Sequence, residues 1–503
     1  MGRARAAGGL LVHAPHLLIL VTVDCFRADH AGFMGYDRPT TPFLDCLAKE
    51  SLVFRNAIAS GTPTYYSLPA ILASRYPLAF GRELLGLAAD ETTIASVLQE
   101  SGFATAAFSA ANPYISERFG YARGFDVFRD FLNVGEFSPK VSPCSHSVRT
   151  SANRALSSTC HAIPGLGAAY DELYFQYCQN SGSRPESLDA LRKFPSAEVI
   201  VDNASAWIKD NATRPFFLWL HLMDPHAPYF PTAEALELMQ DRGAGAPLAS
   251  YLNAYWNRED LTPRRLAKKR EQVIGLYDAG IRWADEQVRR LTENLVDMDL
   301  WDRCALALTA DHGEEFLEHG GRYHAPIKLT EELLHVPLLV RVPGQPAKMI
   351  DSPIGLVDLA PSLLDVLSVP APADFRGHSW FTRILQERSL DRPVITECIQ
   401  GCTNPFRRDC RIGPRILAVR KGNHKIVIDF STGQDMLFDL SSDPTERAPI
   451  PRGNSQAIRR ELLDCARRHV TESHQSRDFD RCQAMQMRDL RLEWAHSPAH
   501  ISN

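Results

Sequence analysis

The chain has 503 residues, 45% of them hydrophobic, and a net charge of −5. That length accommodates a large core and a smaller unit beside it. The near balance of charge argues against a nucleic-acid partner, and no run of ~20 apolar residues is present to span a bilayer.

Arg3, Arg5 and the run from Gly9 to Val23 imitate a secretory leader. His13, Pro15 and His16 interrupt that run, and it ends on Asp24 without a small-residue cleavage site, so it reads as structural and the location as cytoplasmic. Leu17 to Val23 is aliphatic but for one residue, the signature of a strand buried on both faces. Asp24 then either caps a helix starting near Arg27 or stands where open α/β sheets bind ligands. The same pattern returns far downstream in CALALTADHGEE, Cys304 to Glu315, where an apolar run stops on Asp311 and His312. Two such strands delivering carboxylates and an imidazole to one sheet edge point to a metal site.

Between them, residues 38–53 read as a proline-rich turn entering a helix that carries Leu44, Cys46, Leu47 and Leu52. Gly61 and Pro63 mark a turn, and Leu68 to Ala73 reads as a helix with Pro69 in its first turn. Thr62, Thr64, Tyr65, Tyr66 and Ser67 thus crowd a helix N-terminus, which is either an anion site or a simple cap. Residues 91–109 read as helix then strand, with Asn112 after the strand. Residues 130–195 are weakly periodic and read as an insertion with some helix. A helix over 196–209 precedes PFFLWLHL, a buried strand running into a loop with His221, Asp224 and His226. A long amphipathic helix covers 265–298, a strand 332–344 and a helix 357–367. Beyond about residue 385, RILAVRKGNHKIVIDF and DMLFDLSSDP read as short antiparallel strands. Eleven cysteines are scattered without a zinc-finger spacing, and Cys25, Cys304 and Cys465 read as small packing groups.

The fold class is therefore α/β: a doubly wound, mostly parallel sheet flanked by helices, with a small C-terminal α+β subdomain. The expected division is 10–385 for the main domain including the 130–195 insertion, 386–472 for the subdomain, and 473–503 for a polar tail that packs little.

Several stretches together resemble the sulfatase family of the alkaline phosphatase superfamily. They are VDCFRADHAGFMGYDRPTTPFLD, SLPAILASRYP, GFATAAFSAANPY with RGFDVF, HLMDPHAPY, TADHGEEFLEHGG, LLHVPLLVRVPG with VDLAPSLLDVL, and LFDLSSDPTE, in the family's order. The resemblance implies metal-assisted attack on a sulfate, phosphate or phosphonate ester. Aligning back from Ser74–Pro77 puts Thr64 at the nucleophile position and Ser67 at the family's helix-side serine. Two departures stand out. Sulfatases oxidise a Cys or Ser in a C-x-P-S-R-like motif to formylglycine, whereas Thr64 cannot be so converted and Leu68 replaces the arginine. Cys25 stands where many sulfatases carry a second acidic ligand.

The resemblance, combined with the chemistry of these groups, implies Asp24, Thr64, Asp311 and His312 as ligands of a divalent ion. Mn²⁺ or Zn²⁺ suits the set better than Ca²⁺ because it includes nitrogen. His226 and His324 become catalytic candidates, with Ser67, Asn112, His221 and Arg27 on the substrate side; His319 and His221 are alternatively ligands of a second metal or supporting groups. The expected substrate is a small-molecule, glycan or lipid ester. The alternatives are a phosphoryl transferase of the same superfamily and a catalytically inactive binding protein.

Overall fold

A computed structural model describes residues 15–79, 85–132, 156–163, 166–181, 187–241, 245–324, 328–402 and 413–475. In chain order its strands are β1 (Leu17–Val23), β2 (Leu52–Ile58), β3 (Ala104–Ser109), β4 (Val127–Arg129), β5 (Phe216–Leu222), β6 (Cys304–Ala310), β7 (Glu315–Phe316), β8 (Arg322–Tyr323), β9 (His335–Arg341), β10 (Lys348–Ile350), β11 (Ile354–Gly355), β12 (Val394–Ile399), β13 (Arg415–Lys421), β14 (His424–Asp429) and β15 (Gln434–Asp439).

Every residue of β1, β5 and β6 is buried, which is why these runs show no polar alternation. They form the middle of a nine-stranded sheet of order β10-β2-β9-β6-β1-β5-β3-β4, with β11 also on β2. Neighbours run parallel except at β9, which opposes both β6 and β2. The register sets Val23 beside Leu222 on one side and Ala310 on the other. The segments leaving the C-terminal ends of these three strands therefore emerge at one edge of the sheet, the place where open α/β sheets bind ligands.

The long helix Arg270–Asp297 turns Val273, Leu276, Tyr277, Ile281, Ala284, Val288, Leu291 and Leu295 toward the core at helical spacing. It also clamps the segment after β1. Asp278 takes His30, Tyr36 and Arg38 at 2.6–2.8 Å, and Asp285 accepts the backbone N–H groups of Phe43 and Leu44.

Two local expectations change. Leu52 belongs to β2 and not to the preceding helix, which ends at Leu47; a three-residue apolar run does not separate strand from helix by periodicity. The helix expected from Leu68 begins at Thr64, because the N–H groups of Tyr66 and Ser67 already bond to the Pro63 carbonyl. Pro69 thus lies inside the helix and not in its first turn. The 130–195 stretch contains the helix Leu166–Ser181, and part of it lies outside the described residues. The polar tail expected over 473–503 lies outside them from residue 476, while 473–475 continue the helix Gln456–Gln475.

The C-terminal subdomain is an antiparallel sheet, β12-β13-β14-β15, backed by the helix Gln456–Gln475 through Leu417, Val419, Ile426, Leu437, Leu462 and Ala466. It is fastened to the main domain at Glu397. That carboxylate, wholly buried, accepts from Leu78 N at 3.0 Å and meets His469 Nε2 at 3.2 Å and Arg415 Nε at 3.5 Å. Burial alone would raise its pKa, but His469 and Arg415 pull it from 4.5 down to about 2. A depressed carboxylate stabilises the fold above its ordinary pKa, and that contribution fades as pH falls from 4.5 toward 2. Glu397→Ala leaves the buried Arg415 guanidinium without this partner and is expected to cost about 3 kcal/mol at neutral pH. Thermal melts between pH 7 and pH 3 should show the substituted chain losing less stability on acidification than the parent; equal acid slopes would count against this fastening.

Candidate active site

Asp24 comes directly after β1 and its N–H bonds to Leu222 O at 2.8 Å, while Asp311 and His312 come directly after β6. The helix Thr64–Ala73 brings its first residue to the same edge. His312 Nε2 lies 3.2 Å from Thr64 Oγ1, 3.4 Å from Asp311 Oδ2 and 3.8 Å from Asp24 Oδ1. Thr64 Oγ1 donates to Asp24 Oδ2 at 3.4 Å. Four donors spread over nearly 300 residues thus meet at one point. Ligands at ~2.0–2.3 Å from a tetrahedral ion are about 3.3–3.8 Å from one another, close to the spacing found here.

The electrostatics agree with a cation at that point. His312 Nδ1 is 2.9 Å from the Gly313 carbonyl; donating its proton there leaves the Nε2 lone pair facing Thr64 and the two carboxylates. Among the described residues, Asp311 Oδ2 and Glu314 Oε1 are buried without a hydrogen-bond partner. Buried anionic oxygens without donors are costly unless a cation answers them. Asp24 is wholly buried, yet Oδ2 meets Asn112 Nδ2 at 3.0 Å and His221 Nε2 at 3.2 Å. Burial alone would raise its pKa, but His226, His221 and His312 hold it well below the ordinary carboxylate range. His221 is itself oriented from behind by Thr22 Oγ1 at 2.8 Å, which accepts from Trp219 Nε1 at 3.0 Å. Gly313 is required beside His312, since a Cβ there would collide with the Glu332 carbonyl.

Thr64 opens into a cavity of about 390 Å³ lined by Asn112, His226 and His324, with Tyr65, Tyr114, Phe194 and Tyr323 as aromatic walls and Arg322 among the lining residues. The ring centroids of His226 and His324 are 5.0 Å apart. Burial lowers the His226 pKa beyond what Asp24 restores. Burial opposes charge on His324 too, but Glu314, Asp24 and Asp311 outweigh it and raise that pKa.

The remaining candidates have other partners. Ser67 Oγ donates to the Asp311 carbonyl and so braces a strand end. Arg27 is engaged by Asp29, Glu318 and the Glu314 carbonyl. His221 supports Asp24, and Asn112, though it lines the cavity, is bonded to the same carboxylate. His319 pairs with Glu332 at 2.8 Å. Cys25 does more than fill space: its Sγ lies 3.0 Å from Asp24 Oδ1 and 3.4 Å from His324 Nδ1. Glu314 is absent from the candidates read off the sequence, although its place three residues after Asp311 in DHGEE is a usable signal.

The sulfatase family model matches residues 16–369. The chain belongs to the sulfatase family. It is 24% identical over 446 residues to an ulvan-active sulfatase of Formosa agariphila, covering 86% of this chain and 76% of that protein. It is 23% identical over 462 residues to an arylsulfatase of Clostridium perfringens, covering 85% and 89%. It is 26% identical over 283 residues to the arylsulfatase K of Gallus gallus, covering 49% of this chain and 50% of that protein. The phosphonate monoester hydrolase of Agrobacterium radiobacter shares the fold, with TM-score 0.63 and 15% identity over 91% of this chain and 95% of that one.

This sulfatase-family hydrolase gathers the buried Asp24, Asp311 and Glu314 at its sheet edge and brings the stretch Thr64-Tyr65-Tyr66-Ser67-Leu68 beside them. Because Asp311 Oδ2 has no donor among the described residues, Asp311→Asn should remove an uncompensated buried charge along with a candidate metal ligand. The expected result is at least tenfold weaker metal retention, about 1.4 kcal/mol, with an unchanged or higher melting temperature in chelator. Metal analysis and melting curves check this together, and unaltered retention would remove Asp311 from the ligand set.

Proposed function

We propose that this sulfatase-family hydrolase cleaves sulfate, phosphate or phosphonate esters with Thr64 as nucleophile and a divalent ion held by Asp24, Thr64, Asp311 and His312. The observation that carries the reading is Thr64 Oγ1, which lies against both His312 Nε2 and Asp24 Oδ2 at the start of a helix and borders the cavity. The ion, when bound, lowers the pKa of the hydroxyl and takes up charge developing on the transferred group.

The protein's own groups divide the rest of the work. Thr64 Oγ1 forms a bond to phosphorus or sulfur as the ester bond to the leaving oxygen breaks, its proton leaves through the cavity to solvent, and Asp24 Oδ2 orients the hydroxyl. The positive end of the helix dipole lies beside the transferred group. His226 and His324 border the cavity on the side assigned to the leaving oxygen. Water then displaces Thr64 and the hydroxyl is restored. Formylglycine releases sulfate by elimination from its hydrate, a route closed to threonine, so the reading favours phosphoryl over sulfuryl esters. The relationship to an ulvan-active sulfatase and the aromatic walls support a sugar or aryl group on the substrate. Mn²⁺ or Zn²⁺ is favoured by the imidazole in the set.

Turnover of nitrophenyl phosphate, phenylphosphonate esters and nitrophenyl sulfate by the metal-loaded chain tests this. Thr64→Ala should lose at least about a thousandfold in kcat, as when a nucleophile is removed, while Ser67→Ala loses less than about tenfold. The reverse ranking would move the nucleophile to Ser67. Sulfate turnover exceeding phosphoryl turnover with unmodified Thr64 would overturn the phosphoryl preference.

A further inference from the structure

The backbone of Cys25 has φ of +62°, a conformation that a residue with a side chain seldom adopts. It is held there from several sides. Tyr277 Oη donates to the Cys25 carbonyl at 2.7 Å and accepts from Arg27 N at 3.0 Å, and Cys25 N donates to Asp311 Oδ1 at 3.4 Å. A strained position that its surroundings fix so fully is characteristic of functional sites. Cys25 packs within the buried core, and its Sγ at the same time reaches 3.4 Å from His324 Nδ1.

One donor atom each from Cys25, His226 and His324 lies within 4.8 Å of the others. The Sγ–Nδ1 separation between Cys25 and His324 is 3.4 Å, the edge expected between thiolate and imidazole ligands at about 2.3 and 2.0 Å from a tetrahedral ion. His226 Nδ1 is 2.5 Å from the Ala227 carbonyl; donating there frees Nε2 to coordinate. Glu314 borders this group on the His324 side without lying within 4.8 Å of all three donors. Its Oε2 is 3.4 Å from His324 Nδ1, its side chain is 0% exposed, and its Oε1 has no hydrogen-bond partner among the described residues. Asp24 lies between this group and the first, with Oδ1 toward Cys25 and Oδ2 toward Thr64.

We propose that Cys25, His226 and His324, with Glu314 beside them, hold a second divalent cation, beside the one assigned to Asp24, Thr64, Asp311 and His312. The inference rests on that metal-dependent reading and extends it. A thiolate, imidazoles and a carboxylate make a zinc donor set, whereas Ca²⁺ and Mg²⁺ prefer oxygen alone. Binding releases the thiol proton to solvent. The second ion would place positive charge on the leaving-group side of the cavity, opposite the ion that activates Thr64, the division of labour of two-metal sites.

The test is metal stoichiometry of the full chain, stripped with chelator, reloaded with Zn²⁺ or Co²⁺ and freed of excess ion. The parent should retain two ions per chain. Cys25→Ser and Glu314→Gln should retain one, and Asp311→Asn should keep the ion at Cys25. With Co²⁺, the parent and Asp311→Asn should show thiolate-to-cobalt charge-transfer absorption in the near ultraviolet, which Cys25→Ser abolishes. His324→Gln, at the cavity mouth, should weaken the same band and serves if the buried serine variant does not fold. One retained ion without the thiolate band overturns the second site and leaves the proposed function standing. No retained ion removes both. Two ions with a band that survives Cys25→Ser also overturns the assignment.

Discussion

The catalytic edge depends on keeping Asp24 ionised while it is wholly enclosed. A buried carboxylate persists only where donors or cations replace its water. Asn112 and His221 supply that replacement at 3.0 and 3.2 Å, and each arrives from a different parallel strand or the loop after it. His221 can serve because Thr22 and Trp219 hold it from behind. A polar relay thus runs from the centre of the sheet to its edge and sets which carboxylate oxygen faces Thr64.

The same edge gathers more negative charge than its donors satisfy. Asp24, Asp311 and Glu314 are all buried, and two of their oxygens have no hydrogen-bond partner among the described residues. The surrounding scaffold withstands this repulsion because it is clamped at a distance. Tyr277, Asp278 and Asp285 on the long helix fix the segment after β1. Ser67 and Gly313 fix the end of β6, one by bracing the Asp311 carbonyl and the other by fitting closely under Glu332. Rigid support of this kind is what lets a site hold groups that would otherwise move apart.

The C-terminal subdomain takes part indirectly. Arg420 and Lys425 on its sheet pair with Glu331, at the start of the segment that leads into β9. Tyr65, which neighbours Thr64, donates to the Cys402 carbonyl at 2.5 Å. The helix Thr64–Ala73 is therefore gripped from both domains, and the aromatic wall beside Thr64 is set by that grip.

Much of this is legible along the chain. LLILVTVD and CALALTADH are apolar runs stopped by acids, and a parallel sheet is the structure in which such runs share an edge. Local signals therefore determined the fold class and the meeting of Asp24 with Asp311 and His312 at one sheet edge, whereas Thr64 was reached only through the family resemblance. Tertiary structure alone decided where the other polar groups turned. Ser67 and Arg27 carry suitable chemistry in suitable places, yet their partners are the Asp311 carbonyl and Glu318, which no sequence spacing announces. Cys25 reads as a packing group because its neighbours in sequence are apolar. Its direction is set by a positive φ that Tyr277, some 250 residues away, holds in place. The chain states which residues end its strands, because periodicity is local. Which way a side chain points depends on contacts across the sheet, and those exist only once the chain has folded.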